Sequence, residues 1–238
     1  MIARNRVIEE CKALPLSLAN NGYAIVSQVV TAEEIRRLLH SLEGLAAHRS
    51  RAGVRHLLNN PAVAEWATDR RMLGIAQSVL GSDAFPFKAT LFDKSSDANW
   101  LITWHQDTAL PLRHKHETPG WGPWSTKEGV TYSHAPASAL ERVVALRLHF
   151  DDSDQENGPL RVIPGSHRQG VLSDQQVETV VGQREHVTCL VEQGGVIVMR
   201  PLLVHASSKS QSDKPRRVLH IEYATRDTVA APLQLATA

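Results

Sequence analysis

The chain has 238 residues, 42% of them hydrophobic, which is enough for one well-buried domain, and no run approaches the roughly eighteen apolar residues of a membrane-spanning helix. Lys plus Arg at 26 against Asp plus Glu at 25 leaves a formal charge of +1, so no global field draws in nucleic acid or an anionic membrane. Two cysteines, Cys11 and Cys189, make no disulfide framework, and the start MIARNRVIEECK lacks the apolar core of a signal peptide, so a reducing cytoplasm is the expected location.

In chain order, residues 1–22 read as an amphipathic lead-in helix ending near Asn20-Asn21-Gly22, and Tyr23 to Val30, rich in β-formers, as a strand. Thr31-Ala-Glu-Glu34 is a capping-box signature. Ile35, Leu38, Leu39, Leu42 and Leu45 follow at helical spacing and predict core packing on one helix face. A second helical pair is expected at Pro61 to Trp66 and Arg70 to Leu80, stopped at Gly81. From Ala84 the period changes. FPFKATLFDKS reads as a strand, and Asp97-Ala98-Asn99 as a turn joining it antiparallel to the next. Lys94 reads as a solvated strand-end lysine, with reach toward a bound carboxylate as its functional alternative.

The next strand carries the central motif, TWHQD. Residues two apart on a strand point to one face, so His105 and Asp107 present an imidazole and a carboxylate side by side. That is two thirds of an open site for a mononuclear non-haem metal, which takes two His and one carboxylate and keeps its other positions free. The best third ligand is His205 in GGVIVMRPLLVHASS, after an apolar strand-like run and Pro201, with His220 next in line. Between Leu112 and Leu140 no periodicity shows, and a long irregular segment inside a compact domain suits a lid, here over 113–140. Trp121 and Trp124 in that segment want an apolar partner to cover, such as part of a substrate, while His114, His116 and His134 lack a ligand spacing.

Glu141 to Phe150 alternates. Val144, Leu146, Leu148 and Phe150 share the face expected under the helices. Arg147 and His149 share the face expected to look into a barrel, where Arg147 is available to an anionic group of the substrate. Residues 151–158 form an acidic turn, read as solvated. The segment 171–185 is polar and helical or loop, His186 to Val191 and Val196 to Met199 read as strands, and His167 reads as structural. On the last strand Arg216, Val218, His220 and Glu222 share one parity, and the more apolar set Arg217, Leu219, Ile221 and Tyr223 the other. Arg216 therefore faces inward, where a guanidinium near the metal can fork onto the far carboxylate of a dicarboxylic co-substrate, and Arg217 faces out.

His105-X-Asp107, then NGPLRVIPGSHRQG at 157–170, then His205 and Arg216 in that order resemble the phytanoyl-CoA dioxygenase family of Fe(II)/2-oxoglutarate oxygenases. The resemblance covers roughly positions 20 to 225, and NGPLRVIPGSH is its most specific part. It implies a mainly β fold with flanking α-helices, a double-stranded β-helix or cupin-like jelly-roll barrel in a single domain spanning 1–238. It also implies that His105, Asp107 and His205 bind Fe(II), that Arg216 binds 2-oxoglutarate, and that Gln106 and Ser207 touch the co-substrate. With O2 the implied reaction hydroxylates a small organic molecule and releases succinate and CO2. A carboxylate at Asp107 disfavours the halide-binding variant of this chemistry. A non-catalytic metal-binding sensor and a zinc hydrolase use the same ligand types; Arg216, placed for a co-substrate that a hydrolase does not need, argues against zinc.

Overall fold

In the computed structural model, which describes residues 12–43, 53–94 and 99–238, the strands form three antiparallel sheets. The first has five strands in the order β1 (Tyr23–Val26), β10 (Val196–Met199), β7 (Val143–His149), β12 (Arg216–Ala224) and β2 (Phe85–Lys94). The second has four, in the order β3 (Ile102–His105), β11 (His205–Ser207), β8 (Leu160–Val162) and β9 (Val187–Cys189). Ala145, Ile197 and Met199 of the first pack on Leu160, Val162 and Cys189 of the second, so the two are the walls of a jelly-roll barrel.

Helix α1 covers residues 12–20, and α2 (Ala32–Ser41), α3 (Pro61–Thr68) and α4 (Arg70–Leu80) follow. Each start of these three is fixed locally. Thr31 and Glu34 cap α2 reciprocally, Asn60 accepts from the amides of Ala62 and Val63 ahead of α3, and Asp69 accepts from Arg71 N to open α4. Their apolar faces, through Ile35, Leu38, Val63, Met72 and Ile75, share one core with Val144, Leu146, Leu148, Leu219, Ile221 and Tyr223 of the five-stranded sheet. Each such side chain contributes about 1.5–3 kcal/mol by leaving water. The outward row of β7 and the outward row of β12 are thus spent on the helices, which turns Arg147, His149, Arg216, His220 and Glu222 into the barrel. On the other wall, α6 (Asp174–Gln183) packs Val177 and Val180 against Ile163, Val204 and Trp104.

Several expectations are corrected. β1 ends at Val26, because Gln28 adopts a φ of 53° that no strand continues through. β2 and β3 do not pair: β2 lies against β12 and β3 against β11, in different sheets, so the two strands are not a hairpin. The segment 113–140 is not irregular. It holds a hairpin, β5 (Trp124–Lys127) and β6 (Val130–His134), whose β6 strand pairs with β4 (Ala109–Leu112) in a third sheet, and the short helix α5 (Ala137–Leu140). Glu128 and Gly129 have φ of 50° and 83°, the left-handed conformations of a two-residue hairpin turn. The start of the lead-in helix, Leu45, and Asp97-Ala98 of the expected turn lie outside the described residues. Among the described residues no helix is long and apolar enough to cross a membrane.

Candidate metal centre and co-substrate pocket

Antiparallel pairing of β3 with β11 sets His105 directly opposite His205, and the two rings lie 4.3 Å apart between centroids. Asp107 follows β3, pinned by its amide on Pro201 O at 2.9 Å. Its two carboxylate oxygens reach the two rings separately, Oδ1 to His105 Nε2 at 3.7 Å and Oδ2 to His205 Nε2 at 3.5 Å. Each imidazole is held by the same device: Nδ1 donates to the carbonyl two residues back, His105 to Thr103 O and His205 to Leu203 O, both at 2.8 Å. With Nδ1 carrying the proton, Nε2 of both rings turns its lone pair toward Asp107. Among the described residues this is the one group of three or more His, Cys, Asp or Glu whose ligand atoms lie within 4.8 Å of one another. His205 is 5% exposed, whereas His105 and Asp107 are 38% and 36% exposed, so the cluster opens to solvent on one side. Burial lowers the His205 pKa to about 4, which keeps the ring neutral. Burial alone would raise the Asp107 carboxyl; His205, His105, His220 and Lys88 outweigh it and hold it below the ordinary carboxylate range.

Beyond the ligands, Arg216 is buried. Nε donates to Asn157 O at 3.1 Å and Nη2 to Ser207 Oγ at 3.2 Å, while Nη1 is buried with no partner. Lys94 sits opposite Arg216 in the β2–β12 register, with Nζ donating to Ser207 Oγ at 3.0 Å. It is 1% exposed, so the solvated strand-end reading is overturned. Burial, with Arg216 and Arg147 adding, pushes its pKa down to about 7. The NGP motif serves this pocket: at Gly158, φ 70°, a Cβ would stand 2.5 Å from Ser208 O and 3.3 Å from Lys94 Nζ.

Along the inner face of the five-stranded sheet runs a chain of buried charge. Lys88 Nζ donates to Glu222 Oε1 at 2.7 Å, His220 Nε2 donates to the same oxygen at 3.1 Å, and Arg147 Nη1 donates to His220 Nδ1 at 3.1 Å. Arg147 Nε and both ring nitrogens of His149 are buried without partners. Burial, then Arg147 and Arg216, drives the His149 pKa well down, so this ring is neutral.

Three residues expected at the site have other contacts. Gln106 has the opposite strand parity to His105 and Asp107: its Nε2 donates to Gly170 O at 2.9 Å and Leu202 O at 2.7 Å, and its Oε1 accepts from Leu172 N at 2.8 Å. Every strong group of that amide is used on backbone, which makes it a brace of the loop before α6. Trp121 packs into the cluster of Phe87, Leu110, Ala139 and Leu140. Trp124 stands opposite Ser133, on the face of the hairpin that shares the side of Leu110. The other face of the hairpin carries Tyr132 and Lys127, which sequence reading missed along with Lys88. A signal existed for Lys88, since it shares the strand parity of Lys94.

The family profile described as Phytanoyl-CoA dioxygenase (PhyH) matches residues 18–218. An L-proline trans-4-hydroxylase of Streptomyces griseoviridis is 26% identical over 180 residues, 64% of this chain and 59% of the relative. An ectoine dioxygenase of Nocardia farcinica is 24% identical over 251 residues, 89% of this chain and 77% of the relative. Among solved structures, AviO1 from Streptomyces viridochromogenes Tue57 superposes with a TM-score of 0.68 at 23% identity, covering 92% of this chain and 97% of its own. The epimerase SnoN, in complex with Fe3+, alpha ketoglutarate and nogalamycin RO, gives 0.68 at 19% identity, covering 97% and 95%. These likenesses show a common fold.

Proposed function

The chain belongs to the phytanoyl-CoA dioxygenase family of Fe(II)/2-oxoglutarate oxygenases, and from that premise we propose that it is a dioxygenase that hydroxylates a small organic molecule. The observation that carries this reading is the convergence of two imidazole Nε2 atoms and one carboxylate, with an unpartnered, buried guanidinium nitrogen on the facing sheet. Two His and one carboxylate suit ferrous iron and leave positions free for a co-substrate and O2. When bound, iron and 2-oxoglutarate would supply the oxidant for hydroxylation of a substrate C–H bond by O2, with succinate and CO2 as co-products.

The chain's own residues bind, orient and exclude water. His105, Asp107 and His205 would hold the metal, with Thr103 O and Leu203 O fixing the rings. Arg216 Nη1 would take the far carboxylate of the keto acid, beside Ser207 and the Lys94 ammonium, in a pocket too dry for that charge to be left unpaired. Arg147, with its unused Nε, faces the substrate side. The three-stranded sheet adjoining Asp107, tied to it through Thr108 Oγ1 and His134 Nδ1 at 2.7 Å, acts as the lid. Relatives named for proline and ectoine support a small-molecule substrate. A single-domain enzyme of the cytoplasm fits the buried free thiol of Cys189.

The test is succinate formation by purified, iron-loaded protein given 2-oxoglutarate and pooled metabolites. The expected result is iron-dependent succinate, accelerated by at least one pool. A protein that binds neither iron nor 2-oxoglutarate would contradict the reading.

A further inference from the structure

The inner face of the hairpin offers chemistry that metal and co-substrate do not use. Alternation along β6 puts Tyr132 with Val130 and His134, and the β5–β6 register sets Lys127 opposite Val130 and Ser125 opposite Tyr132, all on one side. Contacts agree with the register. Lys127 Nζ lies 4.9 Å and Lys88 Nζ 5.9 Å from the centroid of the Tyr132 ring, so one aromatic side chain stands beside two ammonium groups. His56 Nε2 meets the Tyr132 hydroxyl at 3.1 Å and fixes the ring.

These charges are not matched equally. Lys88 has Glu222 as counter-charge at 2.7 Å and keeps further N–H bonds to donate, whereas Lys127 has no carboxylate within salt-bridge distance among the described residues. Partial burial and then the nearby Lys88 and Arg55 lower the Lys127 pKa, against the opposing pull of Asp107 and Glu222. Loading the centre does not supply one. A ferrous ion on Asp107 and a doubly negative keto acid on Arg216 cancel among themselves, and Lys88 cancels Glu222. Lys94, Arg147 and Lys127 remain in excess, and of these Arg147 and Lys127 both lie near enough to Asp107 to feel its charge.

Resting on the dioxygenase reading for the position of the metal, we infer that the substrate carries an oxyanion, a carboxylate or a phosphate, received by Lys127 and Lys88 beside the Tyr132 ring. These three residues set which small molecules are admitted. The hairpin is then a charged gate: it closes when the anion of the substrate bridges Lys127 on the lid to Lys88 on the barrel floor, and a neutral molecule lacks that bridge.

The probes are inorganic phosphate and acetate. Protein loaded with Mn(II) and saturating 2-oxoglutarate, so that the Arg216 pocket is filled, is titrated by calorimetry with each anion against KCl of equal ionic strength. The expected result is saturable binding by wild type, weakened about 10-fold or more in Lys127→Gln. The charge-neutral double variant Lys88→Met/Glu222→Gln is expected to weaken it likewise; it avoids stranding a buried carboxylate, and Lys127→Gln changes only an exposed hairpin residue, so one variant folds even if the other does not. Absence of saturable anion binding by the loaded wild type, or undiminished binding by Lys127→Gln, overturns the inference and leaves the dioxygenase reading standing. Failure of Mn(II) and 2-oxoglutarate to bind at all overturns that reading and the anion gate with it.

Discussion

On the four-stranded sheet the two imidazoles are held by backbone: His105 leans on Thr103 O and His205 on Leu203 O, and both rings turn Nε2 toward Asp107. On the facing wall, the five-stranded sheet holds its polar side chains by one another, Lys88 to Glu222 to His220 to Arg147, and leaves Arg216 Nη1, Arg147 Nε and the His149 ring without partners. The imidazole pair is finished by the backbone alone. The second wall is left with unpaired groups, and each buried unpaired donor costs about 1–3 kcal/mol until a partner comes. On the proposed reading one sheet fixes where the chemistry occurs and the other which anions enter.

The largest effect is expected on the finished wall. His105→Ala, Asp107→Ala and His205→Ala should each abolish Fe(II) binding by calorimetry while far-UV circular dichroism stays that of wild type. Near-normal affinity in the His205 variant would move the third ligand elsewhere and break the contrast between walls. On the second wall, Arg216→Ala should raise the apparent KM for 2-oxoglutarate about 30- to 1000-fold, the roughly 2–4 kcal/mol of a lost charge-assisted pair. Arg217→Ala should be mild, because Arg217 is turned out of the barrel and engaged with Asp151 at 2.7 Å. Equal effects from both would remove the inward parity.

Lys94 sharpens the comparison through protons. It is a base whose folded pKa, about 7, lies below its ordinary 10.5, so between those values the unfolded chain binds more protons and stability rises with pH. Thermal melts of the unliganded protein from pH 7 to 10 should show this rise, and Lys94→Met should flatten it. At pH 8, 2-oxoglutarate should bind with proton uptake, read by calorimetry in buffers of different ionisation heat, since a carboxylate beside Lys94 favours the ammonium. The smallest effect is expected at Gln106. Gln106→Leu strands two carbonyls and an amide and should cost about 1–3 kcal/mol in urea unfolding, with the 2-oxoglutarate KM unmoved. A large KM change there would return Gln106 to the co-substrate.

Much of the barrel was legible where one face of a strand is apolar and the other is not. The rows of β7 and β12 separated Arg147 and Arg216 from their outward neighbours, and His105 with Asp107 follows from a period of two. The capping box at Thr31 and Glu34 located α2 for the same local reason. The hairpin at 124–134 escaped because its strands, WSTK and VTYSH, are polar on both faces and carry no alternation; only Glu128-Gly129 marked the turn. Lys94 and Lys88 escaped because their burial is set by partners far along the chain, Ser207 at a separation of 113 residues and Glu222 at 134. Long-range register, not local pattern, decides whether such a lysine is solvated or walled in.

The most direct measurement of the central claim is the anaerobic visible absorption of the protein titrated with Fe(II) and 2-oxoglutarate. A charge-transfer band should grow only when both are present, saturate at one iron per chain, vanish in Asp107→Ala, and require far more 2-oxoglutarate in Arg216→Ala. A folded wild-type protein that gives no band, or a band that persists unchanged in Asp107→Ala, would contradict it.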